Sequence, residues 1–99
     1  MSYADTIQKL RREVKAMHGC DCRFESAAHV HEMLNGKTVW KGMVTTFKVD
    51  EHPRATKAFA WAYRDAQGEV QYIAVLSLPP LQSPREAVQA AISSGQMCC

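Results

Sequence analysis

Apolar residues recur along the first segment at helical spacing. Tyr3, Ile7, Leu10, Val14 and Met17 stand four, three, four and three residues apart, which sets them on one stripe of a helix over 3–18. Ser2 is placed to cap that helix, with Asp5 three residues on. Gly19 ends it, because glycine accepts the left-handed conformation at a helix terminus. Two patterns then compete over 24–34. Strand alternation puts Phe24, Ala28, Val30 and Leu34 on one face and His29, His31 and Met33 on the other; a helix aligns Ala27, Val30 and Leu34 instead. Asn35-Gly36 follows, a strong hairpin signal between strands, and it favours the strand.

The next stretch, "TVWKGMVTTFKV" over 38–49, is rich in β-branched and aromatic residues and reads as a strand. Gly42 in its middle marks a bulge or a close approach. "DEHPRA" breaks it, since Pro53 cannot donate to a ladder and holds His52 extended. Strict alternation resumes over 56–64: Thr56, Ala58, Ala60 and Ala62 point one way, Phe59, Trp61 and Tyr63 the other. A turn at "RDAQGEV" leads to the last strand, about 69–78, which Pro79 and Pro80 end. In "SPRE", Ser83 is an N-cap, Pro84 the first helical residue and Glu86 the capping-box acid of a helix over 84–94. Ala87, Val88, Ala91 and Ile92 form its apolar side and Gly95 its stop.

The order predicts one α+β domain over 1–99: an antiparallel three- to four-stranded meander sheet, with the N-terminal and C-terminal helices packed on one face (α-β-β-β-β-α). The simplest registers pair Arg64 with Glu69 and Val49 with Thr56. One face then carries Val39, Met43, Phe47, Ala58, Ala60, Ala62, Ile73 and Val75, small enough in its alanines for a helix to approach. The other carries Trp40, Val44, Phe59, Trp61, Tyr63, Val70, Tyr72 and Leu76, with Gly42 opposite Tyr63. Helices on the alanine face leave the aromatic face open, and an open apolar patch marks an interface or a ligand surface.

Trp40, Val44, Phe59, Trp61, Tyr63 and Tyr72 are therefore the candidate interface residues. The leading expectation is a non-enzymatic binding domain that forms a homodimer through this face, where Trp and Tyr favour contact. It competes with swapped faces, in which the aromatics are core, and with a small-molecule groove. A further competitor is a single-stranded nucleic-acid platform flanked by Lys41, Lys48, Lys57 and Arg64.

Composition narrows these readings. The chain has 99 residues, 46% hydrophobic and 22% charged, which suits one small globular core and excludes disorder. A net charge of +2 does not argue for nucleic acid by itself. No apolar run approaches the ~18 residues of a membrane span, and the charged, periodic start is unlike a signal peptide. The expectation is a cytoplasmic protein with reduced thiols, Cys98 and Cys99 closing an exposed tail.

Candidate chemistry concentrates in "AMHGCDCRFESAAHVHE", which holds His18, Cys20, Cys22, His29 and His31. Structural zinc sites pair cysteines as C-x₂₋₄-C, whereas this spacing is C-x-C. A nucleophilic thiol next to the C-terminal end of a helix sits at the wrong pole for activation. The reading is therefore no metal, no cofactor and no assigned catalytic residue. The alternative is a small metal- or thiol-dependent enzyme that uses the His18–His31 segment. His52, among the charges of "DEHPR", is a further loop candidate. Phosphate-binding, G-x-S-x-G and H-E-x-x-H motifs are absent.

The element order resembles that of the double-stranded-RNA-binding domain. The lysine-rich start of that family's last helix has no counterpart in "SPREAVQAAI", which holds only Arg85. The stretches "TVWKGMVTTFKVDEHPRATKAFAW" and "VLSLPPLQSPREAVQAAI" resemble small uncharacterised bacterial domains. That resemblance implies a compact bacterial α+β domain with no assigned activity.

Overall fold

A computed structural model describes residues 3–50, 54–65, 67–77 and 83–94. Helix α1 (Tyr3–His18) leads into strands β1 (Cys22–Leu34), β2 (Lys37–Val49), β3 (Lys57–Arg64) and β4 (Val70–Leu76), and helix α2 (Pro84–Ser93) follows. The strands form one antiparallel sheet in the order β1-β2-β3-β4. This is the expected α-β-β-β-β-α order, with element ends shifted by a residue or two from the expected ones. No helix among the described residues is long and apolar enough to cross a membrane.

The punctuation works as the sequence indicates. Gly19 is left-handed (φ +69°) and its N–H reaches the Lys15 carbonyl at 2.8 Å. Asn35 and Gly36 both take positive φ, 54° and 79°, as a tight two-residue hairpin requires. The Ser83 hydroxyl accepts the Glu86 N–H at 3.2 Å, capping the helix, and donates to the Glu86 carboxylate at 3.1 Å. The features expected at Ser2, His52, Pro53, Pro79, Pro80, Gly95, Cys98 and Cys99 lie outside the described residues. Ser94 caps the C-terminus of α2 through its N–H to the Ala90 carbonyl.

The placement of the helices on one face is corrected: they lie on opposite faces of the sheet. Leu10 and Val14 of α1 pack with Phe47, Ala58, Ala60, Ala74 and Leu76. Ala87, Val88 and Ala91 of α2 pack with Val30, Val44, Phe59, Trp61 and Ile73. Both faces of the central strands are apolar, and each therefore needs its own cover.

Two local features account for further corrections. Arg64 pairs with Val70 rather than Glu69, so the loop is one residue longer than the simplest register allows. A slip of one residue turns every side chain of a strand to the other face. Tyr72, Ala74 and Leu76 thus join the alanine face, and Ile73 and Val75 join the aromatics. The second feature is a register shift between Phe24 and Ser26. The extra residue, Glu25, separates Phe24 from the face of Ala28 and Val30.

The described pairing of β2 with β3 runs only from Thr45–Ala60 to Lys48–Lys57. Beyond Thr45, β1 and β2 continue together as a two-stranded arm. Gly42 lies in that arm and is covered by Trp40 of its own strand, not by Tyr63. A Cβ there would stand 2.8 Å from the Trp40 ring. The glycine lets the indole lie flat across the strand and reach Trp61, at 6.1 Å between ring centroids.

Candidate interaction surface

The open aromatic face is corrected as well, because α2 covers it. Trp61, Phe59 and Val44 are enclosed beneath the helix, and Trp40 and Tyr63 are half-buried at its margin. Tyr72 stands on the other face, beside the residues packed under α1. The six candidate residues thus divide between two cores rather than forming one patch.

The His/Cys segment also divides. His18 Nε2 lies 2.8 Å from the Ala74 carbonyl oxygen, which only accepts, so this nitrogen carries the proton and donates. The Cys20 thiol donates to the His18 carbonyl at 3.3 Å. Cys22 begins β1 in the α1-side core, where burial pushes its thiol above the ordinary range, opposed in part by the nearby Arg11 guanidinium. From there β1 runs extended. Cys22 and His29 are seven residue steps apart, roughly 23 Å at ~3.3 Å per residue. That is far beyond the span of one ion held at ~2.0–2.3 Å by thiolate and imidazole. Among the described residues no three His, Cys, Asp or Glu side chains gather as a metal site.

What the strand does bring together is a strip on the arm. Beyond the bulge at Glu25, odd residues of β1 face the α1 side: His29 stands opposite Met43, and His31 opposite Lys41. Tyr3, in the first turn of α1, reaches Thr45 with its hydroxyl at 2.7 Å. Past Thr45 this face is exposed: His29, His31 and Lys41 are open, Met43 is 44% and Met33 53% exposed. His31 Nε2 lies 2.8 Å from the Thr38 hydroxyl, which holds the ring along the strand.

The strip carries a lysine, Lys41, and little acid lies near it in sequence. Glu32 is the one acid between 26 and 44. It points to the α2 side, buried, where Arg85 meets it at 2.8 Å and Gln89 at 3.4 Å. At the base of the arm three cations are matched: Lys15 with Asp21, Arg23 with Asp50, Lys57 with Glu25. Lys37 and Lys41 on the arm have no such carboxylate among the described residues. A shallow groove of about 220 Å³ between α1 and β1, lined by Gln8, Arg11, Arg12, Lys15, Asp21 and Cys22, extends the positive character toward the base.

The aromatics drew the sequence reading away from this surface. Its signal was nevertheless present, in the alternation of His29, His31 and Met33 on a strand that begins a meander and so must lie at a sheet edge.

Compared with known protein families, curated proteins and solved structures, the chain matches none.

Proposed function

We propose that the chain is an interaction domain whose contact surface is the uncovered side of the β1–β2 arm. Its partner brings acidic groups together with apolar ones. The observation that carries this reading is the composition of the strip. Two exposed methionines, Met33 and Met43, lie among His29, His31 and Lys41, and the one acid of residues 26–44, Glu32, turns to the other face. Flexible, polarisable methionine adapts to varied apolar partners, and Lys41, with no carboxylate partner among the described residues, selects a negative one. The homodimer expected through the aromatic face has no open Trp61, Phe59 or Val44 to bury there.

The test is a random peptide library panned on the chain and counter-selected on the Lys41→Glu/Met43→Asp double variant. Enrichment of sequences that combine acidic and apolar residues is the expected result. Enrichment without a charge bias, or survival of the same sequences on the double variant, would refute the reading.

A further inference from the structure

The backbone of β1 adds a second property to this surface. In an antiparallel pair, residues alternate between turning their N–H and C=O toward the partner strand and turning them away. Two hydrogen bonds fix the phase. The Asp50 N–H goes to the Asp21 carbonyl of the β1 side at 3.0 Å, and the Val49 N–H goes to Thr56 of the β3 side at 2.9 Å. From Trp40 to Asp50, even residues on the β2 side therefore bond to β1 and odd ones face β3. Ala28, Val30 and Glu32 stand opposite Val44, Gly42 and Trp40, and their backbone groups point inward. Ala27, His29 and His31 stand opposite Thr45, Met43 and Lys41, and theirs point to the open edge. No hydrogen bond of the described structure takes up those outward groups.

We infer that β1 is an acceptor edge, and that the occupant is an extended acidic segment of a partner protein, added antiparallel as a fifth strand. The inference rests on the arm being the contact surface and goes further, since it assigns the mode of binding. Edge addition supplies main-chain hydrogen bonds for affinity and alternate side chains for selectivity. Antiparallel pairing sets the incoming residues that bond to Ala27, His29 and His31 on the same face as those side chains. A carboxylate at these positions meets the imidazoles and reaches Lys41. Charge disfavours a second copy in this role, because the same strip of that copy offers Lys41 and, among residues 26–44, no acid on this face.

The probe is a nonapeptide alternating glutamate and valine, titrated at neutral pH by fluorescence anisotropy. Binding is expected, with loss of about tenfold or more in affinity when lysine replaces glutamate. N-methylation of the glutamate amides, which face β1, should abolish it. N-methylation of the valine amides, which face solvent, should leave it. His29→Pro removes one outward N–H without touching the ladder to β2 and should weaken binding while the circular dichroism spectrum is kept. Absence of peptide binding, or indifference to glutamate N-methylation, overturns strand addition. If Lys41→Glu still weakens binding in the second case, the contact surface stands and only its mode is wrong. If neither change matters, both readings fall. A chain that scatters light as a dimer, with the amides of Ala27, His29 and His31 already protected, would assign the edge to a second copy and overturn the inference.

Discussion

The sheet has two edges, and they are finished differently. β4 is short, seven residues, and His18 reaches over from α1 to engage its Ala74 carbonyl. Both of its faces are covered, Ala74 and Leu76 by α1 and Ile73 by α2. β1 is thirteen residues long, and from Ser26 to Glu32, between two register shifts, it pairs regularly with β2 while the outward backbone groups of Ala27, His29 and His31 stay unengaged. Proteins usually blunt a free edge by shortening, bending or covering it. Here that is done at β4 and at the base of β1, but not along 27–31. The difference separates a structural edge from one that remains available for binding.

The comparison breaks first if the two regions prove equally stable or equally labile. Trp61→Ala, in the enclosed core under α2, is expected to cost ~3–5 kcal/mol of unfolding free energy in urea denaturation. Met43→Ala on the arm is expected to stay within about ±0.5 kcal/mol. A large loss at Met43 would mean that the arm's outer face is packed in solution. Gly42→Ala comes next. Its methyl collides with the Trp40 ring at 2.8 Å, and displacing an indole that packs beside Trp61 should cost about 1–3 kcal/mol. A neutral result would show that the ring has another resting place.

His18→Ala tests the closed edge. It removes the donor from the Ala74 carbonyl and should cost about 1 kcal/mol, with increased self-association in light scattering as β4 is uncovered. Unchanged association would mean that the histidine does not guard the edge. The smallest effect lies at the β3–β4 turn. Burial works to raise the Asp65 pKa, but hydrogen bonds from the Gln71 side chain and from the Glu69 and Gln67 N–H groups outweigh it and hold the carboxyl below the ordinary range. A depressed pKa contributes stability above the unfolded value of 3.8, lost as pH falls through the lower folded one. Asp65→Asn should therefore destabilise at neutral pH, and its gap to the parent should close below about pH 4. A gap that does not change with pH would remove the charge from the account.

Much of this fold was legible because local chemistry fixed it. The heptad-like stripe of α1, the Asn35-Gly36 turn, the alternation of β3 and the Ser83 N-cap are each decided within a few residues. The faces were not legible, because they depend on counting across loops and bulges. One residue in the Asp65–Glu69 turn reversed β4, and Glu25 reversed Phe24. With both sheet faces apolar, nothing local shows which helix takes which, and the aromatic residues passed for an interface when they were core. The candidate site was half visible. The side chains of His29, His31 and Met33 alternate in plain view, whereas the state of their backbone groups follows only from the strand order and hydrogen-bond phase.

Residue-resolved amide hydrogen exchange along β1 tests the claim of an acceptor edge most directly. In the free chain, Ala28, Val30 and Glu32 should be protected, while Ala27, His29 and His31 exchange rapidly. Addition of the acidic strand peptide should slow the fast set and erase the alternation. Uniform protection of 27–32 in the free chain, or a fast set that the bound peptide leaves unchanged, would contradict it.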